Sequence, residues 1–239
     1  MPTPDQQQER PYFDAGRMPS PYREYVAWFD VIGTRSHVAQ SHLRGANFFA
    51  KIHLAALRAT SEAVCLYPVM DGFYATCRRQ SAMLAFVRDF YRLITITFCS
   101  ESENRHRFVV RGALSFGPVT HGRDLPEDCA RFSSDTYRDG LLFGIAMIQA
   151  YEAERNSPPL GLYVHESARA FAPDGDRPFS GLWWRWWRND DEPLLAELRE
   201  AIPDYYAWAL DHAHEHDYDP ERAKAHRALA CEYFAISPV

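Results

Sequence analysis

The chain has 239 residues, 46% of them hydrophobic, and a formal net charge of −6. That length suits one generous domain, or a domain with a sizeable C-terminal elaboration, and the apolar share is enough for a real core. The acidic balance argues against a general nucleic-acid binder, which would carry a basic surface.

Five scattered cysteines with no CxxC spacing point to free thiols in a reducing cytoplasm. No apolar run approaches the ~20 residues of a membrane span. The first twenty residues are polar and proline-containing, unlike a targeting segment. The expectation is a cytoplasmic protein that binds neither membrane nor nucleic acid.

Residues 1–22 read as an N-terminal arm. The first strand is expected over residues 24–31 and ends in Asp30, after which Gly33, Thr34 and Ser36 offer a turn and a helix cap. Apolar residues at helical intervals (Phe48, Phe49, Ile52, Leu54, Ala55, Leu57) predict one or two helices over 41–64. Residues 65–77 predict a hairpin with Asp71-Gly72 at its tip, since Asp-Gly between apolar runs is a turn signal. Pro68 weakens its first arm towards an edge or bulged strand.

Residues 81–98 predict a helix with Met83, Leu84, Phe86, Val87, Phe90, Tyr91, Leu93 and Ile94 on its buried side. A strand over 107–116 is expected to turn at Gly117-Pro118 into a short strand at 119–120. A polar loop (121–140), a short helix (141–154) and a strand (161–164) follow. The order is β-α-β-β-α-β-β-α-β, and its first six elements match a ferredoxin-like split β-α-β unit. After Pro173 the pattern becomes mainly helical. The expected division is an arm at 1–22, a catalytic domain at 23–170, and a C-terminal elaboration at 171–239 packed on the same domain or on a dimer partner.

Asp30 and Asp71 each stand at the end of an apolar strand. In a split β-α-β sheet the first strand is central and pairs with the hairpin, which brings the two carboxylates side by side. Close carboxylates repel, and a hard cation between them relieves that. Mg²⁺ or Mn²⁺ held by carboxylates and substrate phosphates suits phosphoryl chemistry. The carbonyl of Val31 is placed as a further oxygen ligand, and the amides of residues 32–35 as a phosphate cradle. The plainer alternative makes Asp30 a turn-starter and Asp71 a hairpin residue.

The stretches Phe29-Asp30-Val31-Ile32-Gly33, Met70-Asp71-Gly72-Phe73-Tyr74-Ala75 and Arg111-Gly112-Ala113-Leu114-Ser115-Phe116-Gly117-Pro118-Val119 together resemble the successive motifs of class III nucleotidyl cyclase catalytic domains. The resemblance covers residues 23–165. It implies an α+β fold with a ferredoxin-like βαββαβ core of the class III cyclase type. It also implies two divalent ions, Mn²⁺ or Mg²⁺, held by Asp30, Val31 and Asp71, with Arg111 on the triphosphate. Nucleotide contacts are implied at Phe29, Ile32, Gly33, Thr34 and Tyr67. The reaction implied is attack of a 3′-hydroxyl on the α-phosphorus with loss of pyrophosphate.

Purine cyclases of this family carry a base-reading lysine where this chain has Tyr67. The family's Asn and Arg are absent from the helix at residues 143–154. With the Arg-Gly-Ala-Leu-Ser strand, these departures make the chain similar to the Pycsar pyrimidine cyclases of bacterial anti-phage defence. That likeness implies UTP as substrate, or CTP, and a cyclic product that activates a separate effector.

Tyr67 and Asp71 have the same strand parity and are expected ~13 Å apart at about 3.3 Å per residue. One nucleotide therefore meets both only if Tyr67 comes from a second chain, which implies a homodimer with composite active sites. A core or interface aromatic is the alternative for Tyr67, and an internal ion pair the alternative for Arg111. A catalytically silent cyclase-like sensor module and a purine cyclase are the rival functions.

The Trp183–Arg188 run is expected to pack, on this chain or its partner, with arginine–aromatic stacking. It is followed by acidic residues that would repel nucleic acid. His212, His214 and His216 read as a solvated helix rather than a zinc site, because residues two apart on a helix lie ~200° apart.

Overall fold

A computed structural model describes residues 16, 18–33, 38–39, 41–126, 134–187, 192–216 and 218–236, with side chains at 215 and 216 left aside. The strands are β1 (Tyr22–Val31), β2 (Cys65–Val69), β3 (Gly72–Cys77), β4 (Val110–His121), β5 (Leu142–Phe143), β6 (Leu162–Val164) and β7 (Trp183–Trp184). The helices are α1 (His42–Ala59), α2 (Gln80–Ser100), α3 (Asp135–Asp139), α4 (Ile145–Ala153), α5 (Glu166–Ala170), α6 (Glu192–Asp211), α7 (Ala213–His216) and α8 (Pro220–Phe234).

The sheet runs β2-β3-β1-β4-β6-β7, with β5 also on β4. The first four are antiparallel neighbours, which is the order of a ferredoxin-like unit. The fold is α+β, as expected. β1 is central because both of its faces are apolar. Tyr25, Ala27, Phe29 and Val31 enter the main core, while Val26 and Trp28 enter a second, smaller cluster.

The two faces are covered unequally. The main core holds α1 and α2 through Phe48, Ile52, Phe86 and Phe90, and also takes Leu198, Tyr206, Tyr233 and Phe234 from α6 and α8. The C-terminal third thus shares the core of the rest of the chain, and β7 extends its sheet. The second face is covered by α4, through Ala146 and Ala150.

Several local expectations change. Strand four does not turn at Gly117-Pro118 but continues to His121. The N–H of Phe116 points away from β1, to Ser167 Oγ at 3.1 Å. Pro118, two residues on, has the same orientation, so its missing N–H costs the β1 ladder nothing. The hairpin closes at the Val69–Gly72 pair, so its turn residues are Met70 and Asp71 rather than Asp71 and Gly72. Met70 takes the left-handed conformation (φ 52°). On α1, Phe49, Leu54 and Leu57 face outward, and Gly45, Phe48, Ile52, Ala55 and Ala56 form the buried stripe.

The first residues of the expected 141–154 helix form β5 instead. Gly144 (φ 151°) separates β5 from α4. The N-cap residue of α2, Arg79, gives no side-chain capping bond; the Gln80 N–H is met by Asp176 at 3.3 Å, from 96 residues away.

The Trp183–Trp187 stretch packs within its own chain. Trp187 lies on Tyr233 and Phe234, and Trp186 Nε1 donates to the Leu160 carbonyl at 2.9 Å. Among the described residues Arg185 stacks on no ring; its Nε donates to the Tyr233 carbonyl. His212 lies between α6 and α7, where its Nδ1 donates to the Trp208 carbonyl at 2.9 Å.

Among the described residues no helix is long and apolar enough to cross a membrane, and Cys65, Cys77, Cys99 and Cys231 are free thiols. Cys129, Ser36 and Arg188 lie outside the described residues, as does most of the expected arm.

Gly144 supplies a direct check on this arrangement. A Cβ there would lie 2.4 Å from the Pro118 carbonyl oxygen, on a backbone that side-chain-bearing residues rarely adopt. Gly144→Ala should lower stability by about 2 kcal/mol or more in urea unfolding.

Candidate active site

Asp30 is the penultimate residue of β1 and lies directly across from Arg111 on β4. By alternation both belong to the second face, with Val26 and Trp28. Asp71 reaches the same place from the hairpin turn. Gly72 makes this approach possible, since a Cβ there would lie 2.4 Å from the Phe29 carbonyl oxygen and 2.7 Å from the Trp28 ring. The turn is also tied to α1, with His53 Nε2 3.2 Å from the Met70 carbonyl.

The carboxyl of Asp30 is pushed up to about 7. Burial is the largest cause, followed by the charges of Asp71 and Glu154. The Val31 N–H and the Arg111 guanidinium pull it the other way. The two aspartates are therefore close enough to repel, as expected, and a third acid joins them.

Glu154, at the end of α4, was not anticipated as a site residue. Its Oε1 lies 2.6 Å from Arg111 Nε. Burial pushes the Glu154 carboxyl up, and Arg111 opposes that shift.

Arg111 is 6% exposed. Its Nη1 also meets His226 Nε2 of α8 at 3.2 Å. Burial, then the charges of Arg111 and Arg222, push His226 down to about 3. The neutral ring thus accepts from Arg111 through Nε2, and its Nδ1–H donates to Tyr218 Oη at 2.6 Å. The expectation that a buried arginine needs an anionic partner is met inside the chain by Glu154. Glu154 and His226 are 43 and 115 positions away, so no local spacing could announce them.

The remaining expected nucleotide contacts are distributed differently. Phe29 is fully buried and stacks on Phe73 at 5.0 Å in the main core, so its side chain does not reach the site. The Ile32 N–H is taken up by the Val109 carbonyl at 2.8 Å and cannot serve a phosphate cradle. Gly33 turns the chain at φ 80°. Thr34 and Arg35 lie outside the described residues. Val31 pairs with Val110 in the ladder.

Tyr67 shares the second face with Trp28 through the row Tyr67–Tyr74–Trp28. Asp71 lies in the turn rather than on the strand, so simple strand parity does not relate it to Tyr67. Tyr67 is 4% exposed, and its hydroxyl is bonded to His121 Nδ1. His121 Nε2 in turn faces Glu24 Oε2 at 3.3 Å, and the other oxygen of Glu24 accepts from Arg78 Nε at 3.1 Å. His121 and Glu24 are a second buried polar network that the sequence alone did not single out.

Among the described residues there is no group of three or more His, Cys, Asp or Glu side chains able to hold a metal ion. The donors at the end of β1 are the Asp30 and Asp71 carboxylates. An all-oxygen set with mutual repulsion fits a hard divalent cation.

Neither a family model nor a curated protein matches the chain. Among solved structures it is similar to the dimeric guanylyl cyclase domain of the RhoGC fusion protein from the aquatic fungus Blastocladiella emersonii. That match has a TM-score of 0.48 and 15% identity, and covers 64% of this chain and 85% of that one. It is similar also to the guanylate cyclase domain of RhGC from Catenaria anguillulae in complex with GTP (TM-score 0.44, 14% identity, 62% and 81% covered). A third is the adenylyl cyclase CyaB from P. aeruginosa (TM-score 0.44, 14% identity, 61% and 78% covered).

The raised pKa of Asp30 fixes the sign of a pH effect. In the unfolded chain its carboxyl ionises near the ordinary aspartate value of 3.8, and in the folded chain it is pushed up to about 7. Between these values the folded state binds more protons, so this group's contribution to stability falls as pH rises from about 4 to about 7. His226, held neutral and pushed down to about 3, contributes with the opposite sign as pH rises through 6.5, so the Asp30 effect is read against a variant. In metal-free protein Asp30→Asn should raise the urea midpoint relative to wild type more at pH 8 than at pH 5.5.

Proposed function

We propose that this chain is a metal-dependent nucleotidyl cyclase of the class III type, with a pyrimidine triphosphate, UTP before CTP, as its substrate. The observation that carries the proposal is the meeting of Asp30 and Asp71 at the end of the central strand, opposite a buried arginine. Asp30, Asp71 and the Val31 carbonyl would hold two divalent ions, Mn²⁺ or Mg²⁺. Such ions acidify a bound hydroxyl and neutralise charge on the transferring phosphoryl group. Asp30 would give up its proton on binding the cation, because a bound cation offsets both the burial and the repulsion that raise its pKa. Arg111 is paired with Glu154 and touches His226, and from its place across the ladder from Asp30 it would position an anionic group beside that carboxylate.

Tyr67, in place of a lysine, supports a pyrimidine. Glu24 faces His121 Nε2, which places the ring proton there and leaves Nδ1 to accept from the Tyr67 hydroxyl. Tyr67 Oη then offers a ligand only lone pairs. Uracil can meet such an acceptor with its N3–H and cytosine with its 4-amino group, so this hydroxyl suits either pyrimidine, and UTP is placed before CTP on the resemblance alone.

The second face also supports a homodimer with composite sites. The outward side of α4 leaves Ile145, Ile148 and Tyr151 exposed beside this face. A second copy placed over it would bring its own Tyr67 towards Asp30 and Asp71. In this reading the product, cyclic UMP, is a cytoplasmic second messenger that activates a separate effector in anti-phage defence.

The Arg111–Glu154 ion pair favours a second reading, a cyclase-like module that binds nucleotide without turnover. In that reading the guanidinium is already neutralised and does not reach a triphosphate.

Incubation with each of the four ribonucleoside triphosphates and Mn²⁺ separates these readings. The expected result is cyclic UMP and pyrophosphate from UTP, with activity reduced about 1000-fold or more in Asp71→Ala. No turnover with any triphosphate would leave the silent module, and preferential cyclic AMP or GMP would make the chain a purine cyclase.

Complementation addresses the composite site. Mixed Asp71→Ala and Tyr67→Phe protomers should regain part of the wild-type activity. A mixture that forms heterodimers and stays inactive would show that Tyr67 does not act across chains.

A further inference from the structure

A cavity of about 480 Å³ opens between the N-terminal half of α2 and the segment that carries β7. Its size is in the usual range for small-molecule sites. It lies on the main-core side of the sheet, because Trp183 and Trp184 pack against that core. Asp30 and Arg111 belong to the opposite face, so the two sites are separate.

The chemistry of the walls is uneven for a chain of net charge −6. Arg88 from α2 and Arg185 from the β7 segment both line the cavity, as do Ser81, Ser180 and the partly buried Trp183 and Trp184. No lining residue among those described is acidic.

Arg88 pairs with its neighbour Asp89 at 3.1 Å, but both side chains are about half exposed (45% and 47%). A pair of that kind is worth little in water and yields readily to a better anion. Arg185 uses Nε on the Tyr233 carbonyl at 3.4 Å, and its terminal nitrogens have no partner among the described residues.

Two guanidiniums suit a dianionic phosphate, whose several oxygens can accept from both; one carboxylate would serve one fork. Indole faces beside them suit a planar base, which stacks regardless of its sequence identity.

We propose that this cavity binds a nucleoside monophosphate, with the phosphate between Arg88 and Arg185 and the base against Trp183 and Trp184. The site is independent of the reading given to Asp30 and Asp71. It also gives the Trp183–Arg185 stretch a role besides packing.

The test uses adenosine 5′-monophosphate as probe, without divalent cations, followed by tryptophan fluorescence and calorimetry on the full chain. Saturable binding of one probe per chain is expected. Arg88→Ala and Arg185→Gln should each weaken it about tenfold, the loss of one charge-assisted contact. Adenosine alone and inorganic phosphate alone should each bind at least about tenfold more weakly than the monophosphate.

Arg88 is exposed, so its replacement leaves the fold intact and keeps the test decisive if Arg185→Gln disturbs Tyr233. Asp30→Asn should leave the affinity unchanged. Absence of saturation, an affinity unmoved by Arg88→Ala, equal binding of inorganic phosphate, or loss of binding in Asp30→Asn would each overturn the proposal.

Discussion

The local structure depends on one electrostatic balance. Asp30 is held in a poorly solvated place beside two further carboxylates, Asp71 and Glu154, and its carboxyl is driven up to about 7. The Val31 N–H and then Arg111 oppose that shift at Asp30, and Arg111 opposes it at Glu154. Arg111 lies across the ladder from Asp30, and its Nε is 2.6 Å from Glu154. Burying charge without a partner is costly, so each member constrains the others. Asp30, Arg111, Glu154 and His226 come from β1, β4, the end of α4 and α8, and the balance ties those elements together.

The sheet divides the work between its faces. The main-core side is closed by aromatic packing, with Phe29 among Phe73, Phe90 and Tyr91 and with the C-terminal helices adding Tyr206, Tyr233 and Phe234. The second face is thinner. It carries Asp30 and Arg111 towards one end and the Glu24–His121–Tyr67 network towards the other, roughly 20 Å away along β1 at about 3.3 Å per residue. One short helix covers the middle, held by Ser115 Oγ donating to the Ala146 carbonyl at 2.6 Å. A rigid core thus positions a polar platform, the division that a binding or catalytic site needs.

Much of this was legible because it rests on short-range pattern. Apolar runs ending in Asp30 and in Met70-Asp71 marked strand ends, and the helical periodicity of residues 81–98 found the buried stripe of α2. The readings that changed concern backbone geometry set by neighbours. Gly117-Pro118 looks like a turn, yet the proline's missing N–H faces away from the ladder and the strand runs on. Asp71-Gly72 looks like a complete turn, yet Gly72 belongs to β3, because the close approach to Phe29 and Trp28 leaves no room for a side chain there. Phe29 is adjacent to Asp30 in sequence but points to the opposite face, so adjacency did not imply a shared site.

The order of residues alone determined that a central, doubly buried strand would end in a carboxylate, that a hairpin would bring a second one to it, and that Arg111 would need an anion. These follow from hydrophobic alternation and from the cost of burying charge, both local properties of the chain. Only the tertiary structure decided which anion Arg111 takes, that His226 from the last helix joins it, that His121 holds the Tyr67 hydroxyl, and that the C-terminal third completes the main core. Those choices depend on distances between segments far apart in sequence. Such distances are set by how whole helices and strands pack, and no spacing along the chain encodes them.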